Sequence, residues 1–424
     1  MHLIVVGLSH RTAPVEQREK AALSDGAART LLRALASDVG ISEAVAISTC
    51  NRTEIYLRAD DNAAAEEAAC DAIVAHSEMS RHELDCARYA HRDERVAAHL
   101  LRVAASLDAM VVGESEIQSQ VRMAFERAQE EGTVGPVLDN LFRKALETGK
   151  RVRTETGIGA GAVSVASVAV ELAREAVTDL VERRVLLIGA GDVAEATASA
   201  LVDSGVAELV VANRTISTAR GLADRIGGQG VGFDRLAQEL VAADIVISST
   251  DAPHPLLDHD DVERAMRERP GRPMVLIDIA VPRDLEAEIA SVPGVRLYDI
   301  DDLERVVEVN LNGRMREAEL AEAIVLGEAG RFTEWRRTLS VVPTISALRE
   351  RAEQIRTTEL TRVAGQWESM SEADRDRVEQ LTRSIVNTLL HEPTVRLRAA
   401  VAEGDGVAHL ESIRHLFGVD DPST

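Results

Sequence analysis

Residues 184–194 read Arg-Val-Leu-Leu-Ile-Gly-Ala-Gly-Asp-Val-Ala, and this stretch decides the fold of the central part of the chain. The apolar run over 184–188 predicts a buried strand, and a Gly-x-Gly-x-x-Ala pattern follows it at once. A glycine turn between a strand and a helix lets backbone N–H groups and the helix N-terminus hold a pyrophosphate. We therefore predict a dinucleotide site made by Gly189, Ala190, Gly191, Asp192, Val193 and Ala194.

The sequence around this motif alternates between strand-like and helical segments. Apolar runs lie at 209–212, 245–249 and 274–279, each after a helical or turn segment, and 164–181 reads as a helix. Such alternation is typical of a doubly wound parallel sheet with helices packed on it. We therefore predict a Rossmann-type domain in the middle of the chain.

The second predicted strand of this domain indicates which dinucleotide binds. It ends at Asn213-Arg214-Thr215, where an NAD site usually carries an acid for the ribose hydroxyl. Because an arginine and a hydroxyl are available here for a 2′-phosphate, the predicted cofactor is NADPH. The alternative is a Rossmann-like fold that binds no cofactor.

The two ends of the chain differ from its centre. Strand signals lie at 3–7, 44–48 and 54–58, between helix-like stretches around 26–36, 62–75 and 93–130. This mixture predicts a compact α+β domain. After about residue 305 the strand signal disappears, and charged helices follow that are divided at Pro343 and at Glu392-Pro393. The chain is therefore predicted to be an α/β multidomain protein.

Composition limits the class of protein. The three cysteines have no paired C-x-x-C spacing, which excludes a disulfide scaffold and a zinc ribbon and indicates a reducing compartment. No uncharged apolar run approaches the roughly 20 residues that span a bilayer. The apolar start of the chain lacks the basic region and cleavage site of a signal peptide. We expect a soluble, cytoplasmic protein with no bound metal, because no histidine and cysteine cluster has ligand spacing.

The charge balance is strongly acidic. Acidic residues number 71 against 48 basic ones, for a net charge of −23, and the only lysines are Lys20, Lys144 and Lys150. Such a surface repels nucleic acid at low salt. Because the acids are spread along the chain, we favour adaptation of the whole surface to a salty cytoplasm. Any polyanion must then be held by local arginines, although most of these also fit the solvated face of a helix with ion pairs.

The sequence Thr49-Cys50-Asn51-Arg52 sets a thiol beside a guanidinium just after a strand-like run. A free cysteine titrates near ~8.5, and a nearby cation lowers that pKa and raises the reactive thiolate fraction. With Arg52 as that cation, Cys50 is a candidate nucleophile. The alternative, a small buried hydrophobe, is what we expect of Cys70 and Cys86.

Several motifs together resemble those of the glutamyl-tRNA reductase family in order and spacing. They are Gly7 to Val15, Ser48 to Tyr56, Gly113-Glu114 with Gln120, Lys150 to Thr156, and Asp278 to Asp284. The resemblance covers nearly the whole chain. It implies a catalytic domain at 1–157, a spinal helix and NADP-binding Rossmann domain at 158–305, and an all-helical dimerisation domain at 306–424, joined in a V-shaped homodimer.

The resemblance also implies a reaction. Members of the family use NADPH to reduce glutamyl-tRNA to glutamate-1-semialdehyde, the first step of the C5 route to tetrapyrroles such as porphyrins. An ester is a poor hydride acceptor, so a cysteine that first takes the acyl group as a thioester divides one hard step into two. Cys50 fits that role. Glutamate-1-semialdehyde aminomutase, which acts next, is a candidate partner.

Individual residues carry the implied site. Cys50 and His99 are the predicted catalytic residues, with His99 polarising the carbonyl or protonating the leaving group; the alternative is a half-buried helix histidine. The predicted substrate-binding residues are Thr49, Asn51, Arg52, Ala109, Glu114, Ser115, Glu116 and Gln120. Among these, Thr49 and Asn51 offer hydrogen bonds, Arg52 a bidentate clamp for the substrate carboxylate, and Glu114 a partner for its ammonium.

Two positions depart from the family pattern. Ala109 stands where bacterial members usually carry a serine, and Glu116 stands where a glutamine is expected after Gly113-Glu114. An extra acid would repel the substrate carboxylate unless it is paired or turned away.

Two other functions remain open on the sequence alone. An NADPH-dependent reductase of another small acyl thioester or acyl phosphate would share Cys50 and the nucleotide fold. A catalytically silent NADP-binding scaffold would not need the pairing of Cys50 with Arg52.

If the acidic surface serves a salty interior, both activity and thermal midpoint should rise as potassium chloride increases from low levels to about molar concentration. Ordinary counterion release predicts the reverse for binding to tRNA. The measurement is tRNA affinity and thermal midpoint across one salt series. A steady loss of both with salt would contradict the adaptation and leave the enzymatic interpretation standing.

Overall fold

The computed structural model describes residues 2–110, 112–114, 116–159, 165–177, 180–250, 252–303, 315–364, 371–403 and 406–419. The chain divides into two compact units, Met1–Leu326 and Gly327–Thr424. The first unit contains both sheets, and the described residues of the second form helices only, with short turns between them. Within the described part of the chain, no helix is long and apolar enough to cross a membrane.

An antiparallel sheet of four strands forms the centre of the N-terminal region. The strands β1 (His2–Ser9), β2 (Ile41–Thr49), β3 (Arg52–Ala59) and β4 (Tyr89–Arg92) lie in the order β2-β3-β1-β4. In the β2–β3 hairpin Thr49 pairs with Arg52, so Cys50 and Asn51 are the two turn residues. The three predicted strands are confirmed. The fourth was not predicted, because the short β4 has no alternation of apolar and polar residues.

Seven helices are found in the described residues of this region. They are α1 (Val15–Ala21), α2 (Asp25–Ala36), α3 (Asn62–His76), α4 (Arg81–Ala87), α5 (Glu94–Ala104), α6 (Glu116–Glu130) and α7 (Pro136–Glu155). The helix-like stretch predicted over 93–130 contains two helices, α5 and α6, because Ser106 and Gly113 take positive φ angles of 59° and 92° and turn the chain between them. Cys70 is buried as predicted, whereas Cys86 on α4 is exposed, which corrects that prediction.

The second sheet has six parallel strands. They are β5 (Arg184–Ile188), β6 (Glu208–Asn213), β7 (Gln229–Gly232), β8 (Ile245–Ser248), β9 (Met274–Asp278) and β10 (Val295–Tyr298), in the order β10-β9-β8-β5-β6-β7. Helix α8 (Val165–Val177) precedes β5, and the helices between the strands are α9 (Asp192–Asp203), α10 (Ile216–Ile226), α11 (Leu236–Ala242) and α12 (His259–Glu268). This is the predicted Rossmann-type sheet. The two edge strands were missed because neither is a continuous apolar run: β7 contains two glycines, and β10 is interrupted by an arginine.

The central strand β5 shows why its sequence is continuously apolar. Val185 and Leu187 face one core, which also holds residues of α8, α9 and α10, and Leu186 and Ile188 face the other, with α11 and α12. Successive strand residues point to opposite faces, so a sheet covered on both sides needs an apolar residue at every position. The first core also contacts Cys50 of the N-terminal hairpin.

From residue 315 onward, the described part of the chain forms the helices α13 (Met315–Leu339), α14 (Val342–Ala364), α15 (Glu372–Glu403) and α16 (Gly406–Phe417). The break at Pro343 is confirmed, since this proline lies in the first turn of α14, where its missing N–H is not needed. The break at Glu392-Pro393 is wrong. Pro393 lies inside α15, a helix of 32 residues, where it removes one backbone hydrogen bond while the turns on either side continue.

Arginines of the helices form ion pairs along their own helix. Arg143 pairs with Asp139 at 2.9 Å and Arg151 with Glu155 at 2.9 Å, both four residues apart. These contacts match the solvated helix faces expected as the alternative to a polyanion surface.

Candidate active site

Cys50 sits in the two-residue turn of the β2–β3 hairpin and is half-buried. The turn is held from two sides. The backbone N–H of His10, just after β1, donates to the Asn51 carbonyl at 2.9 Å. The Arg18 guanidinium on α1 donates to the Cys50 carbonyl at 3.1 Å and to Asn51 Oδ1 at 2.8 Å. Asn51 is thus engaged in holding the turn, and Thr49 Oγ1 accepts from its N–H at 3.2 Å.

The surroundings of Cys50 favour the neutral thiol. Burial raises the pKa of the Cys50 thiol to about 12, and the carboxylates of Glu114 and Glu116 add to this rise. Arg18 acts in the opposite direction. Arg52, the predicted cation, is not among the main causes of this shift: the cation that favours the thiolate is Arg18, which precedes Cys50 by 32 residues in the sequence.

Arg52 is buried and already bonded. Its side chain is 0% exposed, and its guanidinium donates to Glu54 at 2.7 Å and to Asp108 Oδ2 at 3.3 Å, as well as to the Asp108 carbonyl. These contacts hold the guanidinium between two acidic residues, and the predicted clamp on the substrate carboxylate stays a prediction. Strand geometry explains the contact with Glu54, because Arg52 and Glu54 are two residues apart on β3 and point to the same face.

Glu54 is the centre of a buried polar network. It accepts hydrogen bonds from Arg52, from Tyr56 at 2.6 Å, from Tyr89, and from His99 Nε2 at 2.9 Å. Burial alone would raise the pKa of Glu54, but the Arg52 guanidinium and His99 outweigh it and hold that pKa well below its usual range. Nothing in the sequence signals this role, since a glutamate in a strand usually lies on a solvated face.

His99 is buried on α5 between two acids. Its Nε2 contacts Glu54, and its Nδ1 lies 4.0 Å from Asp108 Oδ2. The predicted alternative of a half-buried histidine understates its burial, since the residue is only 8% exposed. The two carboxylates fix the orientation of the ring, which is what a proton donor or acceptor needs.

The loop between α5 and α6 brings a second acid to the site. Glu114 is 8% exposed, and Ala109 is buried in the same loop. Burial, together with the nearby charge of Glu116, raises the pKa of Glu114 to about 7, although the Arg52 guanidinium opposes them. The loop packs tightly on the chain after α7, because a Cβ at Gly113 would lie 2.2 Å from the Ile158 carbonyl oxygen.

The other loop residues are placed as follows. Glu116 is exposed at the start of α6, and its carboxylate accepts from Gln120 Nε2 at 3.2 Å. The extra acid is therefore exposed and hydrogen-bonded to a neutral amide, while its charge still raises the pKa of Cys50 and of Glu114. Ser115, also predicted to bind substrate, lies outside the described residues.

A cleft of about 360 Å³ opens at the carboxyl ends of β5, β6 and β8. Five of the predicted cofactor residues line it: Gly189, Ala190, Gly191, Asn213 and Arg214. Gly189 has a φ of 112°, and a Cβ there would lie 2.7 Å from the Ser249 carbonyl oxygen, so glycine is required. This is the position at which a doubly wound sheet binds its ligand.

The other predicted cofactor residues do not line the cleft. Ala194 is fully buried in the core, and Val193 packs against it, so both join helix α9 to the sheet. Asp192 and Thr215 lie at the starts of α9 and α10 and are exposed. The third small residue of the glycine pattern therefore serves packing, which is its usual structural role.

Sequence reasoning missed the far wall of the cleft, formed by Phe233, Ser249, Thr250, Ala252, Pro253 and Leu256. Thr250 is fixed by buried Asp284, which accepts from its Oγ1 at 2.5 Å and its N–H at 2.8 Å. The motif from Asp278 to Asp284 was the available signal for this wall.

One group among the described residues brings three metal-ligating side chains together. His259, Asp260 and Glu263 place one ligand atom each within 4.8 Å of the others on α12. The group consists of neighbours on one helix, and Asp260 is exposed, an arrangement common where no ion binds.

Family models match three consecutive parts of the chain. These are the glutamyl-tRNAGlu reductase N-terminal domain over residues 6–156, shikimate / quinate 5-dehydrogenase over 171–306, and the glutamyl-tRNAGlu reductase dimerisation domain over 320–419. The glutamyl-tRNA reductase of Pelobacter propionicus is 43% identical over 98% of this chain and 96% of its own. That of Moorella thermoacetica is 42% identical over 98% and 95%. The solved glutamyl-tRNA reductase from Methanopyrus kandleri is 32% identical, covers 99% of both chains and has a TM-score of 0.49.

Glu114→Gln should make the protein more stable at alkaline pH. An acid whose folded pKa is raised stabilises the fold below its unfolded pKa near ~4.3, and that contribution is lost as pH rises through the folded value of about 7. At about pH 8 the amide should therefore gain on the order of 2 kcal/mol over the wild type. Near pH ~5 the gain should shrink. Thermal unfolding at both pH values measures this.

The matched control is Glu126→Gln, an exposed acid on α6. It should change the thermal midpoint equally little at both pH values. A Glu114→Gln protein that is less stable than wild type at the higher pH would show that the buried carboxylate is stabilised by its surroundings.

Proposed function

The chain belongs to the glutamyl-tRNA reductase family, and we propose that its Cys50 thiol carries the glutamyl group in the reduction of glutamyl-tRNA to glutamate-1-semialdehyde. The reaction is the first step of tetrapyrrole synthesis, and the enzyme is a nicotinamide-dependent oxidoreductase. The observation that supports the role of Cys50 is its place in the hairpin turn, held by Arg18 and contacting the core of the nucleotide-binding sheet. The alternative, a reductase of another small acyl compound, does not account for the match to glutamyl-tRNA reductases over nearly the whole chain.

The first half-reaction transfers the acyl group to sulfur. The Cys50 thiolate attacks the ester carbonyl, a C–S bond forms, and the bond from the carbonyl carbon to the tRNA ribose oxygen breaks. The departing oxygen needs a proton, and the buried imidazole of His99, oriented by Glu54, is the proposed donor. Thr49 and Asn51, which flank the thiol, are the proposed hydrogen-bond partners of the acyl group.

Binding of the substrate is expected to lower the high pKa of the Cys50 thiol. The carboxylate of Glu114 disfavours the thiolate, and the same carboxylate is the proposed partner of the substrate ammonium. When an ammonium pairs with Glu114, its negative charge no longer opposes ionisation of the thiol. We infer that Cys50 becomes reactive when the glutamyl group is bound, which protects the free enzyme from oxidation and wrong acyl donors.

The proposed cofactor is NADPH, which when bound supplies the hydride that reduces the thioester to the aldehyde. The cleft residues fit the group. Gly189 and Gly191 leave the backbone open to a pyrophosphate at the start of α9, and exposed Arg214 after β6 can reach a 2′-phosphate. Phe233 offers an aromatic face beside Arg214 in the same cleft.

We further propose a homodimer formed through the C-terminal helices. Leu381, Ile385 and Leu389 recur every four residues along α15 and are 60%, 49% and 68% exposed in the single chain. Such an apolar stripe is typical of a helix that packs against a partner. The dimerisation-domain match covers this helix. Contact with glutamate-1-semialdehyde aminomutase stays a prediction.

Cys50→Ser should abolish both acyl transfer and aldehyde formation while leaving the fold and NADPH binding unchanged. A hydroxyl at this site is a far weaker nucleophile than a thiolate, so we expect a loss of several orders of magnitude. The assay is aldehyde formation from glutamyl-tRNA and NADPH, with uncharged tRNA plus glutamate as the blank. Cys86→Ser, at an exposed cysteine, is the matched control and should keep full activity. Near wild-type semialdehyde production by Cys50→Ser would refute the covalent mechanism.

Arg214→Ala should weaken NADPH binding by about 1 to 3 kcal/mol, the usual effect of removing a charged hydrogen bond, and should barely change NADH binding. Fluorescence titration with each dinucleotide measures the difference. Arg220→Ala, at an exposed arginine of α10 that does not line the cleft, should alter neither affinity. Equal affinities of the unmodified protein for the two dinucleotides would rule out the assignment.

A further inference from the structure

Arg18 is the most deeply buried cation that contacts the Cys50 turn. It lies on α1, and its side chain is 1% exposed. One guanidinium nitrogen donates to both the Cys50 carbonyl and Asn51 Oδ1, and the other donates to Asp301 Oδ1. A planar fork that is bonded in two directions has little freedom to move, so it can hold a short turn in place.

Asp301 lies in the nucleotide-binding region, far from α1 in the sequence. It follows β10, the edge strand of the parallel sheet, and its second oxygen accepts from the Val15 N–H at the start of α1 at 2.9 Å. The carboxylate therefore binds both the first residue of α1 and the arginine one turn later. Asp301 thus bonds the nucleotide-binding region directly to the residue that holds the Cys50 turn.

A second ion pair crosses the same seam without contacting the turn. Arg283 donates to Glu19 at 3.1 Å and to Glu16 at 3.0 Å, both on α1. It makes no contact with Cys50 or Asn51 among those the structure shows. Arg283 thus offers a natural control, because its loss loosens the seam but leaves the Arg18 fork intact.

We propose that Arg18 is a positioning residue for the nucleophile, and that Asp301 sets its orientation, so that Cys50 is correctly placed when the nucleotide-binding region is docked on α1. The inference rests on the proposed role of Cys50. The charged groups that face the thiol are Glu114 and Glu116 from the α6 end and Arg18 from α1, while neutral His10 lies beside the turn. Among these, Arg18 is the group that favours the thiolate.

The arrangement has a chemical consequence for catalysis. The acyl group must be on sulfur before reduction, and the dinucleotide cleft lies in the region that carries Asp301. A nucleophile whose placement depends on Asp301 is reactive only when that region is in contact with α1. Acyl transfer then takes place only in the domain arrangement that reduction requires. A thioester formed in that arrangement can be reduced before water hydrolyses it.

The test is the rate at which iodoacetamide alkylates Cys50 in the full-length protein, without tRNA or cofactor, followed by mass spectrometry of the Cys50 peptide. Exposed Cys86 is the internal reference in each sample. Arg18→Gln removes the cation, so at about pH 9 the Cys50 rate should fall by about tenfold relative to Cys86, the effect of one pKa unit. Arg18→Lys keeps the charge and should label at an intermediate rate.

Asp301→Asn and Arg283→Gln separate positioning from general loosening of the seam. Asp301→Asn should lower kcat with glutamyl-tRNA by about tenfold and leave KM unchanged, since a misplaced nucleophile affects the chemical step. Arg283→Gln should leave the labelling rate of Cys50 unchanged. If Arg18→Gln does not fold, as judged by circular dichroism, Arg18→Lys and Asp301→Asn carry the test.

Two results would overturn the proposal. One is alkylation of Cys50 at the wild-type rate in the folded Arg18 variants. The other is an Arg283→Gln protein that reproduces the kinetic defect of Asp301→Asn. The labelling experiment needs neither the substrate nor the reaction, so it tests the role of Arg18 alone. The proposed function is tested independently by the activity of Cys50→Ser.

Discussion

The buried carboxylate of Glu54 is the constraint on which the catalytic half of the molecule depends. It joins Arg52 of the hairpin, Tyr89 of β4 and His99 of α5 into one hydrogen-bonded network. A buried charge is tolerated only when it is paired, and breaking such a pair from one side typically destabilises a protein by about 3–5 kcal/mol. The network therefore fixes the start of β3 at Arg52, which is next to the turn that contains Cys50.

The charges around Cys50 oppose one another. Burial and two carboxylates keep the thiol neutral, while Arg18 favours the thiolate. Glu114 is itself held in an unfavourable environment, with its pKa raised to about 7. Buried acids with a raised pKa are common in functional sites, because a bound cation stabilises the carboxylate that burial disfavours. These shifts support the proposal that Cys50 becomes reactive when the substrate is bound.

The two sheets are linked by more than the polypeptide chain. Cys50 and Val15 pack against the same apolar core as β5 and α8, and ion pairs from α1 reach Asp301 and Arg283. Cys50, the proposed nucleophile, therefore lies at the seam between the α+β region and the nucleotide-binding region. A reaction that moves an acyl group in one region and a hydride from the other needs its reactive atom at that seam.

The sequence alone determined the elements whose signals are local: the parallel sheet, read from apolar runs and the glycine turn, the two strands on either side of Cys50, and the helical C-terminal part. These follow from side-chain periodicity and backbone freedom, which neighbouring residues decide. Tertiary structure decided the partners of each charge. Arg52 turned inward to Glu54 and Asp108, distant Arg18 became the cation at Cys50, and Ser249 and Phe233 closed the dinucleotide cleft. Pairing of buried charges depends on which segments the fold brings together, and no local pattern contains that information.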